Sequence, residues 1–500
     1  MVFEGESFTF TELNERANRL ANSLTGLGIE KGDRVAILQV NCNQYVEAYY
    51  AVAKVGAVLV PLNFRLNEHE LTHILNHSGS IVLLVGKRYV DLVNSMRSEL
   101  PLVKHYISIE GKEEGMLDYD ELIAGASDEE VLTESADEDT TILVYTAGTT
   151  SVPKGVPLSH NSFSIYILDS VNPVDPDIEE TNLLSMPLYH IAGVQAMLAA
   201  TYGGRTLVIM RQFDVNDWLE LVQRERANRV MLVPTMLKRI IDHPDLAKYD
   251  LSSLSVVTYG GAPMHCEVIK KAIRLFPGVS FINAFGQTET ASTITTLGPE
   301  DHIIEGTDEE KKKKLRRLSL SIGRPMPDVE VKIIGEDGGD LPLGEIGEIV
   351  ARGPRVMSGY WQNGDKTAEA FTKDGWLHTR DMGYMDEEGY FYLAARADGL
   401  IIRGGENISP EEVEDVLYCH PAIHEAAVVG VPSEEWGQEP RAIVVLKDGM
   451  SATPEEIIEF CRERLASFKR PRSVVFIDEL PRTSTGKVMK RILLERHGTS

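Results

Sequence analysis

The sequence predicts an α/β fold with largely parallel sheets, followed by a smaller α+β module. Three observations carry this. Short β-rich runs alternate with helical segments through most of the chain. Two further strand-like runs, 329–334 and 345–350, are separated by Gly-rich turns and point to a more antiparallel part. The length of 500 residues is too great for one hydrophobic core, so at least two domains are expected.

The elements follow in order. Thr9 and Glu12 have the spacing of a capping box, and the helix they open carries Leu13, Ala17, Leu20 and Leu24 on one face before Gly26 and Gly28. Strands are expected at 35–38, 81–85, 207–210, 230–233, 256–259 and 280–285. The basic run 311–317 reads as an exposed loop balanced by Asp308, Glu309 and Glu310, with contact to an acidic surface as the lesser alternative. A boundary is expected near 395–399, dividing the chain into domains 1–397 and 398–500. Past it, 400–402 reads as a strand, and Ser409, Pro410 and Glu412 occupy the N-cap, N1 and N3 positions of a helix.

Composition excludes several classes. The net charge of −26, from 50 basic and 76 acidic residues, opposes polyanion binding over the general surface and argues against nucleic acid. An anionic substrate needs a local basic pocket. Cys42, Cys266, Cys419 and Cys461 form no C-x-x-C pair, which speaks against zinc or a redox dithiol and for reduced thiols in the cytoplasm. Glu4 and Glu6 do not suit a signal peptide, and the longest apolar stretch, 55–62, is too short to cross a membrane.

The run from Tyr145 to Gly155 joins the apolar residues Ile142, Leu143 and Val144 to Thr146, Gly148, Thr149, Thr150 and Lys154. Converging N–H groups, hydroxyls and one ammonium suit phosphate, although the Walker spacing is absent. Five further segments follow: Gly260-Gly-Ala-Pro-Met264, Asn283-Ala-Phe-Gly-Gln-Thr-Glu-Thr290, His378-Thr-Arg-Asp381 with Arg396-Ala-Asp398, Arg403-Gly-Gly-Glu-Asn-Ile-Ser-Pro410, and Pro481-Arg-Thr-Ser-Thr-Gly-Lys487. Glu289, at the mouth of a strand, is the candidate Mg²⁺ ligand, and by itself reads equally as a solvated loop carboxylate. Asp381 can take both ribose hydroxyls.

In this order the motifs closely resemble those of the adenylate-forming superfamily: acyl-CoA synthetases, adenylation domains of peptide synthetases and firefly luciferases. The resemblance covers nearly the whole chain, from about Thr9 to Arg491. It implies a large N-terminal domain of stacked αβ subdomains with a small β-barrel, and a small mobile C-terminal lid hinged at Asp398. The implied reaction is AMP-forming acyl-CoA ligation. ATP and a fatty or aryl acid give an acyl-adenylate and pyrophosphate, and CoA then displaces AMP.

The resemblance also assigns roles. ATP and AMP would be held by Thr146, Gly148, Thr149, Thr150, Lys154, Gly261, Ala262, Asn283, Ala284, Phe285, Gly286, Thr288, Asp381, Arg396 and Lys487. Lys487, His190 and Glu289 would be catalytic, with Glu289 and Thr149 on Mg²⁺. Tyr189, His190, Ile191, Val233, Thr235, Gly260 and Ser292 would line the acyl pocket, and Arg403, Gly404, Gly405 and Glu406 the CoA tunnel. Ile191 stands where amino-acid-activating relatives have an aspartate, which favours a fatty or aryl acid. Ala147, Ser151, Phe285 and Arg380 stand where the resembled motifs usually have serine, glycine, tyrosine and glycine. The expected partners are the acid, ATP and CoA, and a homodimer is compatible with the resemblance. The competing readings are an enzyme loading a carrier protein, a luciferase-like oxygenase and a non-catalytic binding protein.

Overall fold

Thr9 caps the helix Phe10–Gly26: its hydroxyl accepts from the Glu12 N–H at 3.1 Å, and the Glu12 carboxylate accepts from the Thr9 N–H at 2.8 Å. The periodic face is buried as the spacing predicts, with Leu20 and Leu24 at 0% exposure. Each such leucine contributes about 1.5–3 kcal/mol. The computed structural model describes residues 1–146, 153–396, 399–403, 406–433, 435–483 and 486–498; the side chains of Ala395, Arg396, Glu406 and Asn407 fall outside that description.

The helix packs on a sheet centred on Arg34–Leu38, with Val58–Pro61 and Ser80–Val85 parallel on either side. This sheet ends in the antiparallel pair Thr140–Thr146 and Lys154–Ser159. A second sheet runs parallel through Thr181–Leu184, Arg229–Leu232, Val256–Gly260 and Ser280–Gln287. It turns antiparallel at Ser292–Leu297 and continues through Ser321–Pro325, Phe391–Arg396, Leu377–Met385, Gly347–Arg352 and Glu330–Ile334. The antiparallel part expected as a small barrel is therefore continuous, edge to edge, with the parallel part.

The chain is α/β with a large N-terminal domain and a smaller C-terminal one. The smaller unit pairs Ile423–Ser433 with Gly437–Leu446 and covers them with the helices Pro410–Tyr418 and Pro454–Arg462. Val413, Leu417, Val428, Val444 and Ile457 form its own core. Ser409 accepts from the Glu412 N–H at 3.2 Å with Pro410 in the first turn, as expected.

The basic run differs from the expectation of an exposed loop. It lies in the helix Asp308–Leu320, started by a Thr307–Glu310 capping box. Arg317 is buried against Asp301, Glu388 and the Tyr390 ring, Lys313 pairs with Glu388, and Lys314 donates to the Ile303 carbonyl at 2.7 Å. Lys313, Lys314 and Arg317 dock the helix, while Lys311, Lys312 and Arg316 stay on its exposed face as the expectation had it.

Candidate active site

Two parallel strands build the floor of the site. Val256–Gly260 lies beside Ser280–Gln287, with Gly260 opposite Ala284 and Tyr259 opposite Asn283. A side chain at Gly260 would put its Cβ 2.1 Å from the Ala284 carbonyl oxygen, so the close approach requires glycine. Gly261 follows at φ +77 and Ala262 continues the turn. Asn283 donates to the Ser321 carbonyl at 3.4 Å, and half-buried Phe285 packs against the cluster of Ile294, Val329 and Ala351.

The strand ends in a strained turn. A Cβ on Gly286 would meet the Ser292 carbonyl at 1.5 Å. Ala291 and Ser292 are non-glycine residues at φ 47 and φ 89. Each such residue costs on the order of 1–3 kcal/mol, and strain of this kind concentrates at functional sites. The Gln287 N–H donates to Thr290 Oγ1 at 3.1 Å, and the Thr290 hydroxyl lies 3.0 Å from both the Gln287 and Ser292 carbonyls. This fixes Thr288 and Glu289 between them.

Glu289 faces two residues of which one was legible in the sequence. The Tyr360 hydroxyl donates to Glu289 Oε1 at 3.0 Å, and the Lys154 ammonium sits 4.2 Å from the centre of the Tyr360 ring. Burial lowers the Lys154 pKa from the ordinary lysine value; nearby Lys366 and Arg380 lower it further, while Glu289 opposes them. Lys154 is paired in register with Thr146 across the hairpin. The tip between them, with Ala147, Gly148, Thr149, Thr150 and Ser151, lies outside the described residues.

Asp381 stands opposite Arg396 in the antiparallel pair, and its N–H donates to Thr379 Oγ1 at 3.1 Å. Its neighbour Arg380 has φ 63. The position that departs from glycine is thus one that glycine suits, and the arginine costs about 1 kcal/mol of backbone strain there. The side chain of Arg396 and the whole of Asp398 lie outside the described residues.

His190 caps the helix Ile191–Tyr202, its Nδ1 accepting from the Ala192 N–H at 3.2 Å. The acceptor role of Nδ1 leaves the proton on Nε2. Burial, and then the neighbouring Lys487, pushes its pKa down to about 4, so the ring is neutral near pH 7. His190, Ala192, Met231, Val233, Gly261 and Lys487 line one narrow cleft, with Gly260 and Met186 beside them. Its volume is about 20 Å³, room for on the order of one water. Rotation of the unbranched Met186 and Met231 is the least costly way to widen it.

The expected acyl set divides in this structure. His190, Val233 and Gly260 line the cleft. Ile191 instead packs in the main N-terminal core at 2% exposure, because the helix turns it away and presents Ala192. Tyr189 stacks edge-on to Phe64 at 5.2 Å. Thr235 abuts Gly486, and Ser292 sits in the strained turn.

Lys487 reaches the cleft from the C-terminal domain. Its carbonyl accepts from the Thr483 N–H at 2.7 Å and its N–H donates to Thr483 Oγ1 at 3.1 Å, which closes a tight loop. The domain is docked elsewhere too. His265 stacks on Tyr418 at 3.6 Å and its Nδ1 lies 3.2 Å from Asp415 Oδ1, while Lys238 meets His424 at 3.2 Å. Arg403, by contrast, is buried 4.5 Å over the Trp436 ring, and the cleft lining does not include it. Gly404, Gly405 and the Glu406 side chain lie outside the described residues.

Comparison with known proteins identifies the family. The profile of the AMP-binding enzyme family matches residues 1–361, and that of the AMP-binding enzyme C-terminal domain matches residues 412–487. The chain is 36% identical over 495 residues to a feruloyl-CoA synthase of Amycolatopsis sp, covering 99% of this chain and 95% of the relative. It is 33% identical over 505 residues to the fatty acid–[acyl-carrier-protein] ligase ScoC of Streptomyces coeruleorubidus, covering 99% and 93%. Among solved structures, the anthranilate CoA ligase AuaEII in complex with anthranoyl-AMP superposes with a TM-score of 0.89 at 27% identity, covering 99% of this chain and 93% of that one.

Proposed function

This chain belongs to the AMP-binding enzyme family of adenylate-forming ligases, and we propose that it joins an aryl or fatty carboxylic acid to CoA through an acyl-adenylate. The observation that carries the reading is Lys487, which a separate domain delivers to a cleft shared by His190, Gly260 and Gly261.

The acid's carboxylate oxygen forms a bond to the α-phosphorus of ATP, and pyrophosphate leaves with the bonding electrons. The CoA sulfur then attacks the acyl carbonyl, AMP departs, and the thiol proton is lost to solvent. In the first step Lys487 neutralises charge on the carboxylate and α-phosphate. The neutral His190 offers Nε2–H as a donor without adding charge. Lys154 takes the terminal phosphates from beside Tyr360 and Glu289. Gly260–Ala262 and Asn283–Phe285 take adenine, and Asp381 with Arg396 takes ribose.

Mg²⁺ fits the phosphate end. Among the described residues no three metal-binding side chains cluster. Glu289 provides one carboxylate, and Mg²⁺ bound beside substrate phosphates commonly uses only one or two. Thr149 would complete the protein's share. The metal's contribution is charge neutralisation on the polyphosphate.

The docked position suits adenylation, since Lys487 is in the cleft while Arg403 is packed on Trp436. Rotation of residues 398–500 about Asp398 would exchange Lys487 for the Arg403–Glu406 segment and admit the pantetheine arm. The apolar lining of Met186, Ala192, Met231 and Val233 supports an apolar acid over an amino acid.

The test is acid-dependent AMP formation across acetate, octanoate, palmitate, benzoate and ferulate, with and without CoA. The reading expects one apolar acid class to give CoA-dependent AMP. Similarity to ScoC favours one second reading, transfer to a carrier protein's pantetheine. Pyrophosphate release that CoA never accelerates, and a carrier protein does, would establish it.

A further inference from the structure

Lys154 also borders a cleft of about 230 Å³ that the adenylation chemistry does not use. His73, His77, Trp361, Asn363 and Lys366 line it with Lys154. The walls are held apart by hydrogen bonds. The Trp361 N–H donates to the Gly155 carbonyl at 2.8 Å, the Trp361 indole donates to the His77 carbonyl at 3.3 Å, and His77 Nδ1 meets the Tyr145 hydroxyl at 2.8 Å. His73 stacks on His77 at 5.4 Å, and its Nε2 is buried with no hydrogen-bond partner among the described residues.

The charge here runs against the rest of the molecule. In a chain of net charge −26, Lys154 has Lys366 and Arg380 close enough to disfavour its own protonation. Arg380 and Lys366 are tied to one short helix, Gly364–Ala370: the guanidinium donates to the Glu369 carbonyl at 3.1 Å, and the ammonium pairs with the Glu369 carboxylate at 2.6 Å. Glu369 and Glu289 are the carboxylates that act on Lys154. Among the described residues the cleft wall itself holds the Lys154 and Lys366 ammonium groups and no carboxylate, with Arg380 behind them and Glu289, Glu369 and Glu348, which accepts from the Arg380 N–H at 2.9 Å, as the neighbouring acids. Two ammonium groups in a wall free of carboxylates make a site for a compact polyanion.

We propose that this cleft binds the inorganic pyrophosphate released by adenylation, with Lys366 and Arg380 drawing it away from Lys154. The inference rests on the adenylation reading for the origin of its ligand. The cleft adjoins the residue that holds the terminal phosphates, so the leaving group reaches it without crossing the acyl cleft.

Acid-dependent exchange of labelled pyrophosphate into ATP tests the proposal, using Lys366→Ala, Arg380→Gly and the double variant. Arg380→Gly places glycine where φ is 63, so backbone strain cannot cause its failure. Each single change is expected to raise the KM for pyrophosphate about threefold, and the pair about tenfold. The KM for ATP in the forward direction, with pyrophosphatase present, should move less than twofold. An unchanged pyrophosphate KM overturns the proposal. An equal rise in both KM values overturns it too, and assigns the cations to ATP's terminal phosphates. Calorimetric titration of pyrophosphate into the unaltered protein reads the cleft without turnover. Binding that the variants weaken supports the site even if no acid supports exchange, a result that would sink the adenylation reading alone.

Discussion

Tyr360→Phe removes one hydrogen-bond donor from Glu289 and keeps the ring beneath Lys154. In the native chain the hydroxyl donates to the carboxylate at 3.0 Å, and the ammonium lies 4.2 Å from the ring centre. A hydrogen bond to a charged group contributes roughly 1.5–3 kcal/mol when buried. Both residues here are half-buried, so about 1 kcal/mol is the appropriate figure, which is about fivefold in kcat/KM for Mg-ATP. Tyr360→Leu removes the ring as well, and the lost cation–π contact adds about another 1 kcal/mol, or fivefold again. The assay is acid-dependent pyrophosphate release at varied Mg-ATP and varied free Mg²⁺. The half-saturating Mg²⁺ concentration should rise in both variants, because Glu289 loses the group that orients it. If Tyr360→Phe stays within twofold of the native chain at every Mg²⁺ concentration, the argument that Tyr360 positions Glu289 is refuted.

Two further predictions concern stability. His190 is held down to about 4 against an ordinary 6.5, so the unfolded chain takes up that proton first. Its contribution is level above pH 6.5 and is lost as the pH falls from 6.5 towards 4, amounting to about 2 kcal/mol between pH 7 and pH 5. Denaturant titrations should show that drop and show His190→Asn lacking it. Arg355 is fully buried, pairs with Asp328 and donates to the Thr293 carbonyl at 2.6 Å. Arg355→Met strands the Asp328 carboxylate and should cost about 3–5 kcal/mol by denaturant unfolding, with Asp328→Asn on the same chain recovering part of it.

Local rules made much of the chain legible. Thr9 with Glu12, and Ser409 with Pro410 and Glu412, announce helix starts because the cap is satisfied within three residues. The chemistry-bearing residues Lys154, Glu289, Asp381 and Lys487 stand out because phosphate and metal need particular side chains beside glycine. What stayed hidden depends on distant partners. Tyr360 lies 71 residues from the carboxylate it serves, and no spacing links them. Ile191 and Ala192 differ by one position at a helix start, and tertiary packing decided which faces the cleft. The basic helix was partly legible: Thr307 and Glu310 have capping-box spacing, but the density of charge suggested solvent, and only Asp301, Glu388 and Tyr390 make it a docked helix. At Arg380, composition says nothing of a positive φ.

Lys487→Ala, followed through the two half-reactions separately, tests the central claim most directly. The docked domain brings Lys487 to His190 and Gly261, and the proposed function gives the lysine its part in adenylation. Acid-dependent exchange of pyrophosphate into ATP should fall by about a hundredfold or more, while conversion of supplied acyl-AMP and CoA to acyl-CoA stays within about threefold. Exchange that survives within tenfold, or an equal loss in both half-reactions, would contradict the account.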